Sequence, residues 1–296
     1  MSHVAGSGAA APRAIAGLLA ATRPRQWLKN VLVLAAPAAA GTLSDGDAAA
    51  RVLLAVLAFC LASAAGYLLN DVCDAEEDRR HPTKRRRPVA AGVVAPGVAL
   101  AVAGGLLAAA LAAGVVLGLG FTAVLGAYVL LTAAYSLWLR RVPVLDLAAV
   151  TGCHGLRALA GAAAVGVPVS RPFVVVVCAG ALLVVAGRRL GDRLQPGGSR
   201  RAVAGAYGER TLRLLVAGSA CVAVATYAAW ALVSPSAGET VPAVLSALAL
   251  AGFIARYVRL AGDGRGGSPE DVLLRDRPLL VLAVAWAACF AGAVYG

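Results

Sequence analysis

Asp71, Asp74 and Asp78 recur at intervals of three and four residues within Asn70–Pro88, NDVCDAEEDRRHPTKRRRP. On a helix this spacing puts all three on one face, with Asn70 one turn before Asp74 and Glu76 pointing elsewhere. Three carboxylates on one stripe repel each other unless something positive lies between them. A hard divalent cation, Mg²⁺ or Mn²⁺, meets that need, because it takes a few carboxylates and leaves its other positions to water and phosphate oxygen. His81-Pro82 ends the helix, and Lys84, Arg85, Arg86 and Arg87 follow in one short loop. An acid stripe beside a basic loop has the composition of a site for a metal-bound polyphosphate. The plainer reading is a solvated helix end with a positive-inside loop. The alignment of the acids favours the first.

An apolar run from Val52 to Leu69 leads into this stretch, so its charges sit where a hydrophobic helix leaves its apolar surroundings. The 296 residues are 60% hydrophobic and 14% charged, and the mean hydropathy is +0.80. A soluble chain carries about a quarter charged residues. The expectation is therefore an all-α membrane protein with nine transmembrane helices in one bundle, at roughly 28–44, 52–70, 94–117, 119–138, 143–165, 171–187, 212–233, 240–258 and 278–295. Alternating strands of barrel length are absent, which leaves helices as the way to satisfy the backbone in lipid. Residues 1–22 read as an N-terminal segment, disordered or interfacial, and 23–296 as one transmembrane domain.

All Lys and Arg residues except Arg51, Arg157 and Arg171 fall on one side of such a bundle if the N-terminus is cytoplasmic. That asymmetry fixes the orientation and gathers the active site at the cytoplasmic side. It also accounts for most of the net charge of +12 without a nucleic acid partner. The six cysteines are scattered singly, with no C-x-x-C spacing for a zinc site or a redox pair.

Other stretches carry chemistry. Arg25 and Lys29, in Arg23-Pro-Arg-Gln-Trp-Leu-Lys29, are four apart and could reach the site from above or anchor the chain at lipid headgroups. Asp146 opens an apolar helix after the turn that begins at Tyr135, as a helix cap or as a site residue. Arg157, three turns deeper, would meet a lipid phosphate or pair with a buried acid, while His154 reads as a core histidine. Arg188, Arg189 and Asp192 close the sixth span, offering phosphate clamps and one more metal ligand. Asp276 lies between Arg275 and Arg277, an interfacial segment with local ion pairs. Motifs for nucleotide hydrolysis, zinc proteolysis and serine hydrolysis are missing.

N-D-x-x-D-x-x-x-D after a second span, in a nine-span helical chain, resembles the UbiA superfamily of intramembrane prenyltransferases. Arg23-Pro-Arg-Gln-Trp-Leu-Lys-Asn30, Asn70-Asp-Val-Cys-Asp…Asp78-Arg79, His81-Pro82, Arg87-Pro88, Tyr135-Ser136 and Leu274-Arg-Asp-Arg277 look like its phosphoribosyl-transferring branch. Prenyl-diphosphate users carry a second aspartate-rich motif after the sixth span. Here that place reads Arg188-Arg-Leu-Gly-Asp192, more cationic and suited to a donor with an extra phosphate.

The resemblance implies that Asp71, Asp74 and Asp78 hold Mg²⁺ on the donor's diphosphate, with Asn70 assisting. Lys84, Arg87, Arg188 and Arg189 would neutralise its phosphates, and Tyr135 and Arg157 would belong to the substrate site. It implies transfer of 5-phosphoribose from phosphoribosyl diphosphate to a polyprenyl phosphate in a bacterial cell membrane, for cell-wall arabinan precursors. Prenyl transfer to an aromatic acceptor and non-enzymatic polyprenyl-lipid transport are the alternatives, and a homo-oligomer is compatible with either.

Overall fold

The computed structural model describes residues 7–195, 207–233, 240–266 and 269–296. Every regular element among them is helical. In chain order the α-helices are α1 (Ser7–Ala21), α2 (Ala35–Ala39), α3 (Gly46–Cys73), α4 (Ala75–Arg80), α5 (Pro96–Leu117), α6 (Leu119–Leu137), α7 (Leu145–Val165) and α8 (Arg171–Leu194). They continue with α9 (Glu209–Val233), α10 (Thr240–Gly262), α11 (Pro269–Arg275) and α12 (Arg277–Tyr295). Seven of these, α3, α5, α6, α8, α9, α10 and α12, are long and apolar enough to cross a membrane. The chain is a multi-pass all-α membrane protein.

One of the expected spans takes another form, and a second is a helix outside those seven. The stretch expected at 28–44 is not one helix: a 3₁₀ segment, Pro24–Leu34, runs into the five-residue α2. Pro24 starts it, Pro37 removes a donor inside α2, and Gly41 ends the run with a φ of 70°. The expected span at 143–165 is α7, of spanning length but carrying Asp146, His154 and Arg157. Asp146 and Arg157 are buried against neighbouring elements.

Small residues bring these elements together. At Gly161 a Cβ would stand 1.8 Å from the carbonyl oxygen of Val33, so the 3₁₀ backbone lies directly on α7. Only a residue with no side chain allows that approach. Phe59 of α3 meets Phe121 edge-on at 6.0 Å and Tyr128 at 5.0 Å, which forms the centre of one core with Leu125 and Ala160. A second core joins α8, α9 and α10 through Leu183, Leu190, Val216 and Leu260. At the bundle's other end Arg51 donates to the carbonyls of Ala164 (2.7 Å) and Leu117 (2.8 Å), the last turns of α7 and α5. There a cation stabilises two helix C-termini. The charged ends of α3, α6 and α8 are left together on one side.

Candidate active site

The α3–α4 junction presents the acid stripe as its spacing requires. Asp71, Asp74 and Asp78 are buried, whereas Cys73, Glu76 and Glu77 between them are exposed. The chain bends at Asp74, which ends α3 and starts α4, and the periodicity survives the bend.

Each acid has a cationic partner. Asp71 bonds Arg23, and Arg87 Nη1 lies 3.3 Å from it. The same Arg87 nitrogen donates to Asp78 Oδ2 at 2.6 Å, with Lys84 Nζ 3.8 Å from Oδ1. Asp74 accepts two parallel bonds from Arg140, at 2.8 and 2.9 Å, and a third from Asn70 at 3.1 Å. Burial alone would push the Asp74 carboxyl up. The bonds and charge of Arg140, aided by Asn70, outweigh it and hold the group below the usual aspartate range. Arg23 reaches Asp71 from a left-handed backbone (φ 53°) and lies over the Tyr67 ring at 5.0 Å.

A second group gathers on Asp146, at the N-terminus of α7. Arg189 of α8 contacts both its oxygens, at 2.9 and 2.7 Å, and the Tyr135 hydroxyl donates to Oδ1 at 3.0 Å. The last turn of α6 and the α6–α7 connection link both groups, since Tyr135 of α6 belongs to the second and Arg140 of the connection to the first. Asp146 is thus tied into the charged end as well as opening its helix. Val144, two residues before it, sits at φ 70° and ψ −51°, a strained conformation for a β-branched residue. Its N–H is held by the Tyr207 hydroxyl at 2.5 Å.

The remaining expected site residues separate. Lys29 bonds Gln26, and Arg25 and Arg188 are exposed. Asp192 is half-buried and has no ion pair among the described residues. Arg157 lies inside the bundle, donating to Asn30 Oδ1 (2.8 Å), Tyr128 Oη (2.8 Å) and the Cys153 carbonyl (3.0 Å). Its protein partners are neutral, so the buried acid that its depth suggested is not among them. The Tyr128 ring under its guanidinium, at 4.7 Å, adds a cation–π contact. His154 bonds the Val150 carbonyl at 2.7 Å, as a core histidine does. Asp276 pairs with Arg256 of α10 at 2.7 Å and caps Leu279, which replaces the local pairing expected with Arg275 and Arg277.

Arg23 and Arg140 join this charged cluster although their loop positions concealed it, whereas Asp146, which the sequence leaves open as a cap or a site residue, is tied to the cluster's second group. Arg140 read as one of two cations in a short turn, and nothing local to it points to Asp74, 66 residues earlier.

Among the described residues no three His, Cys, Asp or Glu side chains stand together as a metal cluster. The donor set nevertheless suits a hard cation. Asp71 and Asp78 share one arginine nitrogen between them, and Asp78 Oδ1 is buried with no hydrogen-bond partner. Lys84 at 3.8 Å offsets its charge without a hydrogen bond, which leaves this buried oxygen a position for a further ligand.

Residues 30–275 match the UbiA prenyltransferase family. The chain belongs to that family. Within it, the chain is 37% identical over 290 residues to the decaprenyl-phosphate phosphoribosyltransferase of Corynebacterium glutamicum, covering 94% of this chain and 87% of that one. It is 38% identical to the protein of the same name from Mycobacterium tuberculosis H37Rv, covering 95% of each. Among solved structures, a UbiA homolog from Archaeoglobus fulgidus bound to DMAPP and Mg²⁺ superposes with a TM-score of 0.69. Identity there is 17%, with 94% of this chain and 98% of that one covered, a likeness of fold. The same homolog bound to Cd²⁺ gives 0.65.

Proposed function

We propose that the protein transfers 5-phosphoribose from phosphoribosyl diphosphate to a polyprenyl phosphate, releasing diphosphate. The observation that carries this reading is the 37–38% identity, over 94–95% of the chain, to decaprenyl-phosphate phosphoribosyltransferases. The site's chemistry supports it: four buried carboxylates, Asp71, Asp74, Asp78 and Asp146, meet at least five cations at one end of an apolar bundle. The orientation follows the basic residues, with this end cytoplasmic in a bacterial cell membrane and the product feeding cell-wall arabinan precursors.

Asp71, Asp74 and Asp78 would hold the divalent metal, Mg²⁺ or Mn²⁺. Bound there it supplies Lewis-acid stabilisation of the departing diphosphate. Arg23, Arg87 and Arg140 now neutralise those carboxylates, and with the carboxylates otherwise satisfied they turn to phosphate oxygens. Lys84 stands beside them. Arg189 serves the donor's 5-phosphate from across the α6–α7 connection. A polyprenyl phosphate oxygen attacks the anomeric carbon as its bond to the diphosphate oxygen breaks. The nucleophile is already an anion, so no side chain has to remove a proton. The cations stabilise the charge that collects on the leaving group.

Purified protein with Mg²⁺ should convert labelled phosphoribosyl diphosphate and polyprenyl phosphate to a lipid-linked phosphoribose. Turnover of a labelled prenyl diphosphate in its place would reject the assignment.

A further inference from the structure

An apolar groove of about 210 Å³ runs along the junction of α3, α5 and α6. Its walls are mostly small residues, among them Gly66, Ala103 and Gly104. It covers Ala62 to Leu69 on α3 and Leu100 to Leu107 on α5, roughly 10 Å of helix axis at 1.5 Å per residue. Leu69 and Leu100 at one end are exposed on the bundle's surface, so the groove opens sideways toward lipid.

That same end meets the charged site. Leu69 is followed on α3 by Asn70 and then Asp74. Ser136, the last α6 residue in the groove, is followed one turn later by Arg140. Asp74 and Arg140 join in their two-bond fork, so the fork stands next to the groove's mouth. Arg140 keeps about a fifth of its side chain exposed there. Glu77, whose charge reinforces that of Arg140, is the neighbouring acid an incoming anion must tolerate. A ligand fitting both features has one anionic head and one long apolar tail beginning immediately behind it.

We propose that this groove seats the part of the acceptor's polyprenyl tail nearest its phosphate, and that Arg140 receives the phosphate. The inference rests on the phosphoribosyl-transfer reading and gives the acceptor a definite place within it. The small residues leave room for the methyl branches of an isoprenoid chain, and the lateral opening lets the rest of the tail remain in the bilayer. Arg157 stands behind Tyr128 at the groove's other end but is buried and engaged by neutral partners, whereas Arg140 at the mouth is partly exposed, and continuity with it selects a lipid phosphate over a neutral isoprenoid. Arg140 therefore has two uses, as the partner of Asp74 and as the ligand of the acceptor's phosphate.

The Gly104→Leu variant tests the groove. Gly104 lines the groove and a Cβ there meets nothing within 4 Å, so the added side chain starts in open space at the groove wall. Steady-state kinetics should show KM for polyprenyl phosphate raised about tenfold or more, the equivalent of ~1.4 kcal/mol, with KM for phosphoribosyl diphosphate unchanged. Gly180→Leu on α8, where a Cβ also meets nothing within 4 Å, should alter neither. In parallel, polyprenyl phosphate with a diazirine in its first isoprene unit should cross-link to residues 100–107 or 128–136 in phosphatidylcholine–phosphatidylglycerol nanodiscs. Excess polyprenyl phosphate should suppress the cross-link and excess polyprenol should not, and Arg140→Gln should remove that difference. Unchanged lipid KM, a rise in donor KM instead, or equal suppression by phosphatidylglycerol would each overturn the proposal, the last by making the groove a seat for bulk lipid. Absence of turnover by the unmodified protein rejects the transferase reading, while the competed cross-link still reports on the groove.

Discussion

Arg140 and Asp74 face each other across the ends of α6 and α3, joined by two parallel bonds of 2.8 and 2.9 Å. The pair ties the α6–α7 connection to the acid stripe, and it makes part of the protein's stability depend on pH. The Asp74 carboxyl titrates below its ordinary value of 3.8, because Arg140 outweighs the cost of burial. A folded-state pKa below the unfolded one stabilises the fold fully above about pH 4. That contribution is lost as pH falls through the depressed folded value. Melting temperatures between pH 7 and pH 3 should fall more steeply for the unmodified protein than for Arg140→Gln, which lacks the interaction at every pH. Parallel curves would show that the pair contributes nothing.

Asp74→Ala should cut turnover at least ~100-fold at limiting Mg²⁺ while leaving the protein folded, since loss of even an outer partner of a metal ligand costs about 10–100-fold. Glu76→Ala should stay close to normal, because Glu76 points out of the site and pairs with Arg80 at the surface. Comparable damage from both would remove the case for a functional face.

Arg189→Ala should raise KM for phosphoribosyl diphosphate by ten- to a hundredfold, as a charge-assisted contact to phosphate is worth roughly 1.5–3 kcal/mol. KM for polyprenyl phosphate should hardly move. Because Arg189 also pairs with Asp146, Asp146→Asn provides the control: it weakens that pair but keeps the arginine, and it should raise donor KM less. A larger effect from Asp146→Asn would make Arg189 a structural residue only.

Gly161→Ala should prevent accumulation of folded protein. The new Cβ meets the Val33 carbonyl at 1.8 Å, and backbone on both sides has no rotamer with which to yield. Overpacking of a core typically costs 1–3 kcal/mol, and a clash with backbone more. Gly126→Ala, where a Cβ meets nothing within 4 Å, should express and elute normally in size-exclusion chromatography.

The acid stripe was legible because helical periodicity is a local property. Asp71, Asp74 and Asp78 share a face at any position in the fold, and Glu76 leaves it for the same reason. The partners were hidden because pairing across the bundle depends on tertiary placement. Arg23 and Asp71 are 48 residues apart, and Arg140 and Asp74 are 66 apart. Hydropathy marked the long spans, but the stretch from Pro24 to Ala39 has apolar composition without the continuous backbone of a helix, which its prolines interrupt. Arg157 shows a different limit. Its depth was evident from the sequence, yet its acceptors are an amide oxygen, a hydroxyl and a carbonyl. None of these carries a charge for sequence reading to match.

The sharing of Arg87 between Asp71 and Asp78 links two binding events. While those carboxylates hold arginine, they are less available to a metal ion and the arginine is less available to phosphate. Occupation of either side releases the other, so metal and donor should bind with positive heterotropic cooperativity. Reciprocity then requires that the factor by which metal tightens donor binding equal the factor by which donor tightens metal binding.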